Sequence, residues 1–152
     1  MPVLVSKNFG QIPFKVESVI EFPAGLPGFD ERRRFVPVRM PLNDPLVFLQ
    51  SLEDPALCFV TLPLLAADPG YRLCMSEEDV GLIGLEAGCR PQIGREVLGL
   101  AVVAIKERGP TANLLAPIVV NLKNRRAVQA IAPGSEYSWE HPLLPAEAPK
   151  CS

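Results

Sequence analysis

The side chains of this chain that could do chemistry are few and scattered. There is one histidine, His141, in the stretch Glu140-His141-Pro142-Leu143. A hydrolytic centre would need a nucleophile and an orienting acid converging on its ring. Ser138 and Glu140 are too near in the chain to be obvious partners, and no G-x-S-x-G elbow is present. The four cysteines, Cys58, Cys74, Cys89 and Cys151, form no Cys-x-x-Cys pair. With one histidine beside them they make none of the usual zinc sets, and they read as three buried or half-buried small hydrophobes and one free thiol near the end. Gly81-Leu82-Ile83-Gly84 fits neither the dinucleotide fingerprint nor the P-loop. These patterns point to a protein that is not an enzyme, uses no cofactor, and works by binding other macromolecules.

The residues left for binding are charged runs. Two are acidic, Glu53-Asp54 and Glu77-Glu78-Asp79, and two are basic, Arg32-Arg33-Arg34 and Lys123-Asn124-Arg125-Arg126. Either basic run could touch phosphate, but no aromatic platform is interleaved with them. The net charge is −2, without the basic excess that nucleic-acid binding draws on, so direct nucleic-acid binding is not expected. An RNA-binding barrel using the two basic runs is the alternative reading. The acidic runs suit a basic protein partner.

The elements that would position these groups are mostly short strands. Proline occurs 17 times, spread along the chain, which is hostile to helix interiors and central strands. Ile12, Phe14 and Val16 alternate as one face of a strand. Phe22-Pro23-Ala24-Gly25-Leu26-Pro27-Gly28-Phe29 must be a shaped loop, and Asp30 to Arg34 can form one helical turn. Phe35 to Met40 reads as extended, with Pro37 suggesting an edge. Leu46 to Leu52 and Leu57 to Leu62 read as an antiparallel pair turning at Glu53-Asp54-Pro55. Pro63 to Gly70 reads as loop and Tyr71 to Cys74 as a short extended piece. Ser76 followed by Glu77-Glu78-Asp79 is a helix start of the capping-box kind, ended early by Gly81 and Gly84.

Val97 to Ile105 is long, apolar and rich in valine, and so predicts a strand buried on both faces. A buried helix is the rival, disfavoured by the valines and Gly99. Leu114 to Leu122, interrupted by Pro117, and Ala127 to Ile131 complete the set.

About eight strands, one short helix and no βαβ alternation predict a mainly β, antiparallel, closed or nearly closed barrel-like single domain. A length of 152 residues allows one sizeable core. The expected domain is 1–143, with a fraying tail over 144–152. No apolar run is long enough to span a bilayer, and Met1 to Val5 lacks the marks of a signal peptide, so a cytoplasmic protein is expected.

Four ordered stretches resemble one family. Phe22 to Phe29 looks like the F-P-x-G-[IL]-P-G-F signature of the FliW flagellar assembly factors. Phe48 to Pro55 resembles their W/F-L-Q-S-x-x-D-P segment. Thr111 to Asn121 is similar to their T-x-N-L-x-A-P-I-x-x-N block, and Ser135 to Leu143 to their closing motif. The resemblance covers roughly residues 3 to 143. It implies a compact β-barrel-like monomer without a cofactor that switches partners. Such a protein binds new flagellin and, when flagellin is exported, binds the translational repressor CsrA allosterically and releases the flagellin transcript. Chaperone-like protection of flagellin belongs to the same picture. On this chain the residues expected to meet partners are Glu53, Asp54, Glu77, Glu78, Asp79 and Asn113. Two departures stand out. Trp139-Glu140 lies where a basic residue before the histidine is common, and Glu86 to Gly94 is poor in acid.

Overall fold

The computed structural model describes residues 1–131 and 134–143, so the expected tail falls outside the described residues. The strands are β1 (Val3–Ser6), β2 (Gly10–Pro13), β3 (Ile20–Glu21), β4 (Arg34–Val38), β5 (Val47–Ser51), β6 (Cys58–Pro63), β7 (Val97–Lys106), β8 (Gly109–Ala112), β9 (Ile118–Asn121), β10 (Ala127–Gln129) and β11 (His141–Pro142). Two short helices, α1 (Leu64–Ala67) and α2 (Glu77–Leu82), join them. The main sheet runs β10-β9-β7-β6-β5-β4-β3, with β8 on β7 and β11 on β8, and β1-β2 is a separate hairpin. Every strand pair is antiparallel.

Strand twist curls this sheet strongly, so that β3 at one end meets the turn before β10 at a single point. Glu21 at one end donates its N–H to the Arg125 carbonyl at 3.0 Å, and an isolated bridge links Glu21 with Arg126. The architecture is therefore the expected mainly β one, in the form of a strongly curled half-barrel.

The core lies inside the curl. Ile20, Phe22, Phe35, Leu49, Leu100 and Ile118 are buried there, with Phe22 and Phe35 edge to face at 5.5 Å. Each such side chain contributes roughly 1.5–3 kcal/mol by leaving water. The outer face is covered in two places. Ile83, just past α2, packs on Val97, Val119 and Val128, while Leu64 of α1 packs on Ala101, Ala112 and Leu114.

The apolar run in β7 is thus explained in its first half, which is buried on both faces; its last residues, Ala104 to Lys106, project into solvent. Gly99 decides how close α1 can come, because a Cβ there would stand 2.6 Å from Leu64 Cδ1. It is a packing requirement inside a strand, where the sequence shows only a poor strand former.

The remaining differences from the sequence reading involve short pieces. β1 was not expected, and the alternation of Ile12, Phe14 and Val16 spans two structures: β2 stops at Pro13, and Val16 begins a single 3₁₀ turn. The expected loop 63–70 contains α1, a second helix of one turn. Asp30 and Glu31 form a turn rather than the start of a helix, Arg34 already opens β4, and Tyr71 to Cys74 pairs with no strand. Elements of two to four residues carry too few side chains to show a period. The pair β5–β6 forms as expected, and Pro37 sits beyond the reach of β3, which pairs only with Arg34 and Phe35.

Candidate partner-binding surfaces

The first acidic run sits on a closed turn. Gln50 is fully buried in β5, and its Nε2 donates to the carbonyls of Ser51, Asp54 and Pro55. Its Oε1 accepts from the Ser6 hydroxyl at 2.7 Å. Ser51 Oγ accepts from the N–H groups of Glu53 and Asp54, and Asp54 Oδ1 from that of Ala56. The two carboxylates are then met by the neighbouring basic run. Arg34 Nε lies 2.7 Å from Glu53 Oε2, and Arg32 reaches Asp54 at 3.5 Å. Arg33 turns the other way: its side chain donates to Pro23 and Asp30 carbonyls. The strand pairing of β4 with β5 brings together two runs of opposite sign that lie apart in the chain, and neither is a free patch.

Arg33 also holds the Phe22-to-Phe29 loop. Phe22 and Leu26 are buried, Phe29 packs edge to face on Phe59 at 5.4 Å, and Gly25 has φ +74 with the Asp30 backbone 3.1 Å from where a Cβ would be. Only glycine meets both conditions cheaply.

The second acidic run caps α2 as expected. Ser76 Oγ accepts from the Asp79 N–H at 3.1 Å, and Glu77 Oε1 accepts from the Gly88 N–H. Burial pushes the Asp79 carboxyl up from its usual range. A hydrogen bond with Ser76 opposes this, the Glu78 charge adds to it, and a bond from the Ile131 backbone opposes it. Glu78 is exposed.

Asn113 is a turn residue, its Oδ1 accepting from Leu115 and Ala116 N–H groups. Asn121 is buried and donates to the Ile83 carbonyl, fastening the end of α2 to β9. The basic run after it is the β9–β10 turn, shaped by Asn124 accepting from Arg126 N–H and by Arg125 at φ 62. His141 lies in β11 opposite Ala112. Cys58 and Cys89 are half-buried, and burial pushes the Cys58 thiol up; Cys74 is exposed, contrary to expectation, and Cys151 lies outside the described residues. The departure at Trp139-Glu140 has a local partner: Lys106 lies 3.4 Å from Glu140 and 6.0 Å from the centre of the Trp139 ring.

One feature escaped the sequence reading. A cleft of about 560 Å³ opens beside Tyr71, Arg72, Cys74, Pro117, Glu136 and Tyr137. The two tyrosines stack at 4.2 Å with an interplanar angle of 24°. Tyr71 donates its hydroxyl to the Leu114 carbonyl at 2.7 Å, and Tyr137 Oη accepts from Arg72 N–H at 2.9 Å. Burial, then the neighbouring Tyr137, Asp68 and Cys74, push the Tyr71 phenol up to about 12. The one available signal is that the chain has just two tyrosines, Tyr71 at the start of a short extended piece and Tyr137 in the closing motif.

The sequence model of the FliW protein family matches residues 3–143. The chain belongs to the FliW family. Flagellar assembly factors FliW of Caldanaerobacter subterraneus and Bacillus subtilis are 35% and 32% identical to it over 144 and 141 residues. These alignments span 93% of this chain in both cases, and 92% and 96% of those relatives. A crystal structure of the flagellar assembly factor FliW superposes with a TM-score of 0.80 at 27% identity, over 95% of this chain and 98% of that one. In this FliW chain the motif residues Gly25, Gln50, Ser51, Asn113 and Asn121 all serve loop geometry or buried hydrogen bonds.

Proposed function

We propose that this chain is a partner-switching regulator of flagellar assembly, acting in the cytoplasm as a monomer without catalysis or cofactor. It binds newly made flagellin, and when flagellin leaves it binds CsrA, frees the flagellin transcript and lets translation resume. Membership of the FliW family over residues 3–143 carries this reading. The pairing of Arg32 and Arg34 with Asp54 and Glu53 supports protein partners over direct RNA binding, because two of the three charges in that run are already answered within the fold. No helix among the described residues is long and apolar enough to cross a membrane.

Among the five acidic residues expected to meet partners, Glu78 of the α2 start is best placed: it is exposed and makes no ion pair among the described residues, whereas Glu53 and Asp54 are paired, Glu77 accepts from Gly88 and Asp79 is half-buried. The switch needs negative coupling between partners, and by linkage each must weaken the other equally. Added flagellin is therefore expected to strip this chain from CsrA and restore RNA binding by CsrA. Gel filtration of the three proteins, followed by an RNA-binding assay on the same mixture, tests it. A stable ternary complex with CsrA still inhibited would sink the switch.

A further inference from the structure

The two edges of the β1–β2 hairpin differ. Phe14 donates its N–H to the Pro2 carbonyl at 2.9 Å, and the register sets Leu4 opposite Ile12 and Ser6 opposite Gly10. Hydrogen-bonded and non-bonded pairs alternate along an antiparallel ladder. Leu4 and Ser6 therefore aim their main-chain groups into the hairpin, and Val3 and Val5 aim theirs outward. Lys7 is next in that outward series, and its N–H is taken by the Pro55 carbonyl at 2.9 Å. The outward groups of Val3 and Val5 meet no backbone partner among the described residues. On β2 the outward series is Gln11 and Pro13, and proline has no N–H to offer, so that edge is blunted. The β1 edge has no such device.

The side chains follow the same parity. Leu4 and Ser6 are buried at 6% and 3% exposure, while Val3 and Val5 stand at 54% and 61%. Met1 continues the outward series and is exposed as well. An open main-chain edge and an apolar, β-branched outer row thus coincide on the same residues.

We propose that the open edge of β1 takes up an extended segment of the flagellin that this chain binds, with apolar side chains at alternate positions, as a third strand of the hairpin. The hydrogen-bond chemistry selects the occupant. Two N–H and two C=O groups spaced about 6.8 Å apart along one line suit another extended backbone, whereas a helix has already used its own. The exposed valines select apolar neighbours across the strand. A second copy of this chain fits less well. Symmetric pairing about Leu4 would stop after two residue pairs, because the next pair needs the Lys7 N–H that Pro55 holds, and pairing about Val3 would reach only three, Val3 on Val3 flanked by Met1 on Val5. So short a ladder falls well below the roughly 800 Å² per partner of a stable interface. A different chain can turn away at Pro55 and continue elsewhere. The choice of flagellin as occupant and probe rests on the function proposed above.

The test is Val5→Pro. It removes an outward N–H and leaves the inward ladder, which uses Leu4 and Ser6, in place. Binding of flagellin monomer is expected to weaken about tenfold or more, while Val5→Thr, which keeps the N–H and the branched shape, stays within about threefold. Hydrogen exchange on the wild-type protein supplies an independent readout: the Val3 and Val5 amides should exchange freely alone and become protected by flagellin. This measurement decides the matter even if Val5→Pro lowers stability. Unchanged affinity in Val5→Pro, with those amides unprotected, overturns the proposal and leaves flagellin binding intact. Protection by CsrA alone gives the edge to the other partner and overturns it too. Self-association of the wild type, abolished by Val5→Pro, gives it to a second copy. Absence of flagellin binding to the wild type overturns both the edge and the function it rests on.

Discussion

The two acidic runs are held by the fold in opposite ways. Glu53 and Asp54 sit over a buried glutamine and face Arg34 and Arg32, so most of their charge is answered within the molecule. Glu77, Glu78 and Asp79 open a helix of six residues, where one acid takes a loop N–H, one is half-buried and one points to water. Charge density along a chain therefore says little about the charge a surface presents. Opposed strands can bring distant runs of opposite sign together, and a helix cap can consume some of its own acids.

The largest expected effect breaks the first region at its base. Gln50→Ala removes the acceptor of Ser6 and the donor to three carbonyls, in a fully buried place. Unsatisfied buried groups cost about 1–3 kcal/mol each, and a loss on the order of 3 kcal/mol is expected in urea unfolding. If instead Gln50→Ala proves nearly neutral, the turn under Glu53 is held by strand pairing alone.

A smaller effect separates the two regions by function. Reversal of Glu78 to Lys is expected to cost about 1 kcal/mol or less, the loss of a favourable charge in the first turn of α2, since the residue is exposed and makes no ion pair among the described residues. It should slow association with CsrA at low salt and flatten the salt dependence of that rate. Reversal of Glu53 sets a third positive charge beside Arg32 and Arg34 and should disturb the fold before it disturbs binding. Stopped-flow association at two ionic strengths, alongside urea melts, distinguishes them. Equal rates for wild type and Glu78→Lys would remove the α2 start from the contact.

The smallest effect concerns pH. The folded-state pKa of Asp79 is raised, chiefly by burial, above its unfolded value. As pH falls into the carboxylate range, the folded state therefore takes up the proton first, and folding gains. Above the folded pKa that gain is absent. Asp79→Asn should remove this dependence, so the stability difference between variant and wild type changes between neutral and mildly acidic pH. Thermal melts across that interval check it; parallel curves would mean that the Ser76 and Ile131 hydrogen bonds offset the burial.

The sequence by itself determined the class of fold and the family. Seventeen prolines, alternating apolar runs and turn chemistry leave few alternatives to short antiparallel strands, and the Ser76 cap and the β5–β6 hairpin are local enough to be read directly. The motifs at Phe22 to Phe29 and Phe48 to Pro55 are legible as patterns, though not as a buried network. Tertiary structure decided the rest, for a physical reason common to each case. The Arg–acid pairing, the tyrosine stack at Tyr71 and Tyr137, the role of Gly99 under Leu64 and the open edge of β1 all depend on groups far apart in the chain or on which way a strand's main-chain groups point. Side-chain periodicity reports which face of a segment is apolar. It is silent about which neighbour that face meets, and a strand of four residues such as β1 becomes visible only when a second strand fixes its register.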